Sequence, residues 1–261
     1  MKLIDQLLDH AQAVCFADLP IQAVEAAITF ITDSVGVGLA GSCHPRVAEL
    51  CVAARHWGQG SAAREWRTGA RWPAPTAAML NAYQIHNQEF DCVHERAVVH
   101  PLATILPALV AHAEAASEVS SEASAANGRP PSGRALIEAL VLAVDVAATL
   151  GSAQIAPMRF IRPAMCGALG ATLGLAKLAG CTRAQMADAL GIAYSQLAGT
   201  MQAHTEGSPM LALQVGMAAR AAVTSLDLAR AGFSGPHDVI EGPFGYFDLF
   251  DAPPGAAPPA G

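Results

Sequence analysis

His86 to Pro101 reads His86-Asn87-Gln88-Glu89-Phe90-Asp91-Cys92-Val93-His94-Glu95-Arg96-Ala97-Val98-Val99-His100-Pro101. Three histidines, three carboxylates and a cysteine fall within one short stretch. The chain as a whole is only 14% charged, against roughly 25% in an average soluble domain. Titratable groups are scarce, yet they gather here, which points to proton transfer. His100 precedes Pro101, and proline is favoured at the first position of a helix. A helix start offers free N–H groups and the positive end of the dipole, a setting that attracts carboxylates. The same dipole is expected to lower the pKa of His100 and keep it neutral, as a base. Asp91 and His94, from the preceding loop, are candidates to orient it or relay its proton.

Two metal readings fail. His94 and His100 are six apart, roughly 120° around a helix, not on one face as in a zinc-protease helix. Cys92, His94 and His100 lack a second placed ligand pair for a tetrahedral loop site. No metal is expected. Ser195 has no nucleophile-elbow context, which sets aside a serine hydrolase.

The elements that position this stretch are helical. Leu3, Ile4, Leu7, Leu8 and Ala11 follow amphipathic spacing. Further helices are expected at 21–39, 45–57, 72–85, 101–118, 134–152, 163–179, 183–199 and 210–231, with Thr182 a good N-cap. Pro107 predicts a kink or break in the 101–118 helix. Gly167, Gly170 and Gly174 flatten one face for close helix approach. No stretch alternates as strands do, so the fold class is all-α: a single large helical domain over 1–250. Residues 117–133 read as a mobile insertion loop, and the Ala/Pro/Gly tail at 251–261 as disordered.

Composition sets the partners. Hydrophobic residues make up 52% and aromatics 5%. The small, apolar character suggests surface covered by a second copy, so a homodimer through the glycine- and alanine-rich helices is expected. Net charge is −7 with no Lys/Arg cluster, arguing against nucleic acid or an anionic membrane. The apolar runs read as too interrupted for a membrane span, and the N-terminus lacks a signal-peptide core. Six cysteines with no CxxC pair are expected to be bland buried thiols of a cytoplasmic protein.

Several segments, taken in order, resemble the MmgE/PrpD family of 2-methylcitrate dehydratase and cis-aconitate decarboxylase. They are Asp33–Ser42, Ala77–Ala82 ahead of His86, Glu89-Phe90-Asp91 leading to His94 and His100-Pro101, Gly180–Thr182, Ala189–Gln196, Gly216–Arg220, Gly232–Pro236 and Glu241–Gly245. The likeness covers about residues 5–250. It implies an all-helical domain with a dimer interface, normally followed by an α+β lid that this chain is expected to lack. It also implies a lyase acting on a small polycarboxylate, by dehydration or decarboxylation, with no cofactor. His100, Asp91 and His94 are then the expected catalytic residues, and Glu89, Arg162 and His204 the expected substrate contacts.

The family often has a Lys before its Gly-x-Ala-Ala segment; here Met210–Gly216 has none. Arg162-Pro163 stands near a family His-Pro, and Asp91-Cys92 where an aspartate pair is common. Weak binding of a small carboxylic acid is expected rather than efficient turnover. Two alternatives stand beside this reading. One is a non-catalytic dimerisation module or half of a split enzyme with a separate lid chain. The other is an epimerase or isomerase of a related acid.

Overall fold

The computed structural model describes residues 1–122 and 130–251, with side chains omitted for 118–122. Among these, eleven α-helices follow in order: α1 Leu3–Ala13, α2 Ile21–Gly41, α3 Pro45–Ala54, α4 Ala74–His86, α5 Pro101–Glu122, α6 Gly133–Ala153, α7 Arg162–Leu178, α8 Arg183–Tyr194, α9 Gln202–Thr205, α10 Met210–Arg230 and α11 Tyr246–Phe250. The described residues are all-α, with a single two-stranded ribbon among them, β1 Ala63–Arg64 and β2 Arg71–Trp72. The ribbon corrects the expectation of no strands. It pairs Ala63 with Trp72 and Arg64 with Arg71, antiparallel. Two residues per strand are too few to show alternation in sequence.

Two helices form the centre. In α4 every residue from Thr76 to His86 is buried, and in α7 every residue from Pro163 to Ala176. Helices α5, α6, α8 and α10 pack around α7; α2, α5 and α10 pack against α4. The glycines of α7 work inside the chain. A Cβ on Gly170 would lie 2.3 Å from the Ala143 carbonyl oxygen, and one on Gly174 2.8 Å from that of Ala139, both on α6; one on Gly167 would meet Thr104 Oγ1 of α5 at 2.7 Å. This face is therefore spent on intramolecular packing and is not free for a second copy.

Local chemistry sets the helix starts. Thr182 and Gln185 form a reciprocal capping box on α8, and the Ser132 hydroxyl accepts from Ala135 N–H on α6. Helix α5 departs from expectation twice. It runs without a break through Pro107, because residues 101–109 are all buried and packing holds the turn that lacks a hydrogen bond. It also continues through 117–122, where a loop was expected; Ser117 Oγ donates to the Ala113 carbonyl. The rest of that expected loop, 123–129, and the tail at 252–261 lie outside the described residues.

Two further expectations change. By length and hydropathy, α2 and α6 are each sufficient to cross a membrane. Helix α6 is packed on α7 as a core helix is, whereas α2 leaves Ile21, Ile28, Phe30 and Leu39 exposed. The six cysteines are free thiols, but Cys15 and Cys43 are exposed rather than buried.

The packing predicts opposite outcomes for two glycine substitutions. Gly170→Ala drives a methyl into the Ala143 backbone and should cost about 2 kcal/mol net of the gain in helix propensity. Gly36→Ala, mid-helix in α2 with nothing within 4 Å of the new Cβ, should add about 1 kcal/mol. Urea unfolding of the two variants against the parent measures both.

Candidate active site

The end of α4 and the start of α5 meet across the 87–100 loop. His86 is the last residue of α4, and His100 immediately precedes α5. The position of α4 is held from its other side. Asn81 Oδ1 accepts from Trp66 N–H at 2.9 Å, and its Nδ2 donates to the Arg64 carbonyl at 2.9 Å. Gln84 donates to the buried Glu65 carboxylate, which also accepts from the Arg67 and Thr68 N–H groups and the Thr68 hydroxyl. The ribbon thus grips α4 just before His86. At its end, Asn87 Nδ2 donates to the Gly41 carbonyl of α2 at 2.9 Å.

Between the helices sits Asp91, whose side chain is fully shielded from water. His86 Nδ1 is 3.1 and 3.2 Å from its two carboxylate oxygens. His100 Nδ1 is 3.3 Å from Asp91 Oδ2 and 3.2 Å from the Asp91 backbone oxygen. The two rings meet edge to face, with centroids 4.9 Å apart. Only acceptors surround each Nδ1, so each carries its hydrogen and donates. The Nε2 atoms are left for other work. His86 is buried, while His100 keeps 21% of its side chain exposed. His100 is the member that solvent or a ligand reaches.

The electrostatics follow. Burial alone would raise the Asp91 pKa, but hydrogen bonds from His100 and His86, and their charges, outweigh it and bring it to about 2. Burial alone would lower the His100 pKa. The hydrogen bond and charge of Asp91, its backbone carbonyl and the charge of Glu89 outweigh that too, so the pKa is raised. The sequence expectation of a lowered pKa is thus reversed in direction, because the Asp91 carboxylate lies against the ring. Cys92 is no nucleophile at neutral pH, since burial first, then the charge of Asp91, push its thiol up to about 11.

The structure places the other expected site residues less closely. His94 is exposed; its Nδ1 accepts from Ala97 N–H at 3.2 Å, and its backbone pairs with Val99. It shapes the 94–99 turn rather than contacting Asp91. Glu89 is exposed at φ 49° and acts on His100 by charge alone. Arg162, half-buried, donates at 3.4 Å to the Ala97 and Ala156 carbonyls, tying α7 to the loop. His204 is exposed on α9.

His86 was missed as a partner, although five residues from Asp91 and at the end of an apolar helix it was open to notice. Among the described residues, His86, Asp91 and His100 are the set whose ligand atoms, all within 4.8 Å of one another, could hold a cation. Cys92 and His94 do not join it.

Residues 5–257 match the model of the MmgE/PrpD N-terminal domain. The chain belongs to the MmgE/PrpD family. It is 30% identical over 247 residues to a cis-aconitate decarboxylase of Aspergillus terreus, covering 93% of this chain and 49% of that protein. It is 28% identical over 235 residues to a cis-aconitate decarboxylase-like protein of Aspergillus oryzae, covering 88% and 47% respectively. The chain therefore spans about half the length of the curated relatives it matches.

Replacing Asp91 by Asn tests the geometry and its pH dependence. The variant should lower the His100 midpoint by about one pH unit or more, read by NMR titration, and lose about 3 kcal/mol of stability near pH 6. The raised His100 pKa contributes stability that is full below its unfolded value of about 6.5 and is lost as pH rises through the folded one. The lowered Asp91 pKa contributes stability present above about 3.9 and lost as pH falls through about 2. The difference between parent and variant should therefore be largest between about pH 4 and 6.5. Buried His112, held down to about 4 by burial and the charge of Arg230, lowers stability over that same window in both proteins and cancels in the difference. An unchanged His100 midpoint would break the assignment.

Proposed function

We propose that this MmgE/PrpD chain carries the acid–base half of a lyase acting on a small polycarboxylate, with His100 as the proton-transfer group. The observation that carries the reading is the His86–Asp91–His100 network. It fixes His100 through Nδ1, leaves Nε2 for a ligand, and raises the pKa in the one partly exposed member. The family membership and the names of the relatives support the substrate class.

The chemistry follows from that protonation state. An imidazolium attracts a carboxylate and donates from Nε2. In a decarboxylation, the bond to the departing carboxylate breaks, its electron pair stays on carbon, and that carbon takes the His100 proton. In a dehydration, the same proton goes to the leaving hydroxyl, while a base removes hydrogen from the carbon beside a carboxylate. The raised pKa fits the donor role in either case better than the base role. His86 and Asp91 act as positioning residues: they hold the tautomer and stabilise the charge. Arg162 has its N–H groups engaged only at 3.4 Å and serves as a second carboxylate contact after a small turn of its side chain.

Calorimetric titration with citrate tests this. Binding should weaken as pH rises through the raised His100 midpoint, and His100→Ala should weaken it tenfold or more below that midpoint. Equal binding by parent and variant overturns the proposal.

The protein is further proposed to act in the cytoplasm as a homodimer. With the α7 glycines used internally, the apolar residues of α2 supply the contact, since Ile21, Ile28, Phe30 and Leu39 are exposed among the described residues. Light scattering at micromolar concentration should give twice the chain mass, reduced to one by Ile28→Glu with Phe30→Glu. A monomeric parent rejects it.

A further inference from the structure

Cys92, His94 and His100 fail as a metal set in the sequence, and folding changes the membership. His94 is exposed, with its Nδ1 held by the Ala97 N–H. His86 arrives in its place, from the end of α4. The set that results is two imidazoles and one carboxylate. His86, His100 and Asp91 each offer one ligand atom, all within 4.8 Å of one another. Two nitrogens and an oxygen suit a divalent ion of the zinc kind, which open sites hold with three protein ligands and a fourth place left for water.

The spacing is that of a coordination shell. Bonds of about 2.0–2.2 Å set the corners of a tetrahedron roughly 3.3 Å apart. His86 Nδ1 lies 3.1 Å from Asp91 Oδ1, and His100 Nδ1 lies 3.3 Å from Asp91 Oδ2. Those lengths also fit N–H···O bonds, so hydrogen and metal compete for the same gaps, and the tautomer decides between them. With the hydrogen moved from Nδ1 to Nε2 on each ring, two nitrogen lone pairs face the carboxylate, and a divalent ion joins the three groups. The surroundings favour it. Asp91 is fully shielded from water, so an ion beside it meets a full negative charge that solvent screens little. His86 is fixed at the end of α4 by the hydrogen bonds of Asn81, Gln84 and Asn87, so little order has to be created on binding. His100, 21% exposed, is the ring that turns to complete the shell, and its open side gives the ion a path and a water ligand.

We propose that His86 Nδ1, the Asp91 carboxylate and His100 Nδ1 form a binding site for one divalent ion of the zinc class. The site stands on this geometry alone. Its effect on turnover rests on the lyase reading. The hydrogen left on His100 Nε2 is then that of a neutral, metal-held imidazole, a far weaker acid than imidazolium, so the ion withdraws His100 from proton transfer. The hydrogens balance. A neutral ring shifts its one hydrogen from Nδ1 to Nε2, and an imidazolium at His100 gives its second to solvent.

Co2+ is the probe, because a tetrahedral site gives it strong visible absorption that the hydrated ion lacks. The full chain, freed of metal by a chelator and dialysed, should take up one equivalent with that spectrum, and Zn2+ should displace it. In 15N spectra of the zinc-loaded chain, the ring hydrogens of His86 and His100 should stand on Nε2. His86→Gln and Asp91→Asn each remove a ligand and should weaken Co2+ binding about a hundredfold or more. His100→Ala removes the partly exposed ligand and leaves His86 on Asp91, so it serves if the other two lose their helical far-UV spectrum; it should weaken binding about tenfold or more. His56→Ala, at an exposed histidine outside the set, should bind as the parent does. No strong visible band, unchanged binding by the folded ligand variants, or Nδ1 hydrogens retained with zinc bound would each overturn the proposal. This experiment contains no citrate, and the citrate experiment contains no metal. A chain that binds citrate through His100 yet takes up no Co2+ rejects the ion and keeps the lyase reading, and the reverse outcome does the opposite.

Discussion

An ionised carboxylate with no access to water is tolerable only when donors surround it, and Asp91 imposes that condition on everything near it. Its side chain is fully shielded, and two imidazole N–H groups replace the lost hydration. Those imidazoles come from different helices. His86 must end α4 and His100 must precede α5 within about 3 Å of the same group, so the crossing of the two helices is fixed to that tolerance. The ribbon at Ala63–Trp72, the Glu65 and Asn81 hydrogen bonds and the Gly41 contact all act on α4 within a turn or two of His86. They read as the supports of one buried charge.

Small side chains are the other half of the arrangement. Helices α4 and α7 are buried along nearly their whole length, which is feasible only if neighbouring helices approach closely on several sides. Alanine and glycine allow that approach. Each contact then buries little area, but many can be made, and dense packing supplies the dispersion that large side chains would otherwise give. The low charge content belongs to the same design, because a helix wrapped on all sides has few positions for a charge.

How much of this the sequence disclosed depends on the range of the interaction. The helices were legible because periodicity, Thr182 and Pro101 are local signals. Asp91 and His100 were legible as a dense patch in a sparsely charged chain. The sign of the His100 pKa was not, since only the folded loop brings the Asp91 carboxylate against the ring. His86 was hidden for a related reason: at the close of an apolar helix it reads as a packing residue until the loop folds back. The backbone turn that occupies His94 depends on Val98 at φ 53°, unusual for a β-branched residue and invisible in composition. Pro107 misled in the opposite direction, because burial on every side held a helix that propensity alone would break.

The encasement of α7 bears on how the chain assembles during synthesis. Its neighbours are α5 and α6 before it and α8 and α10 after it, so the central helix leaves the ribosome about thirty residues ahead of the start of α10, its last major neighbour. Until α10 arrives, one flank of α7 and one flank of α4 remain uncovered. The α7 flank presents Ala164 and Ala168, which adhere weakly, whereas the α4 flank presents Met79, Tyr83 and Ile85. The nascent chain therefore carries one adhesive stripe, on α4, while about thirty further residues are made, and the docking of α10 covers it.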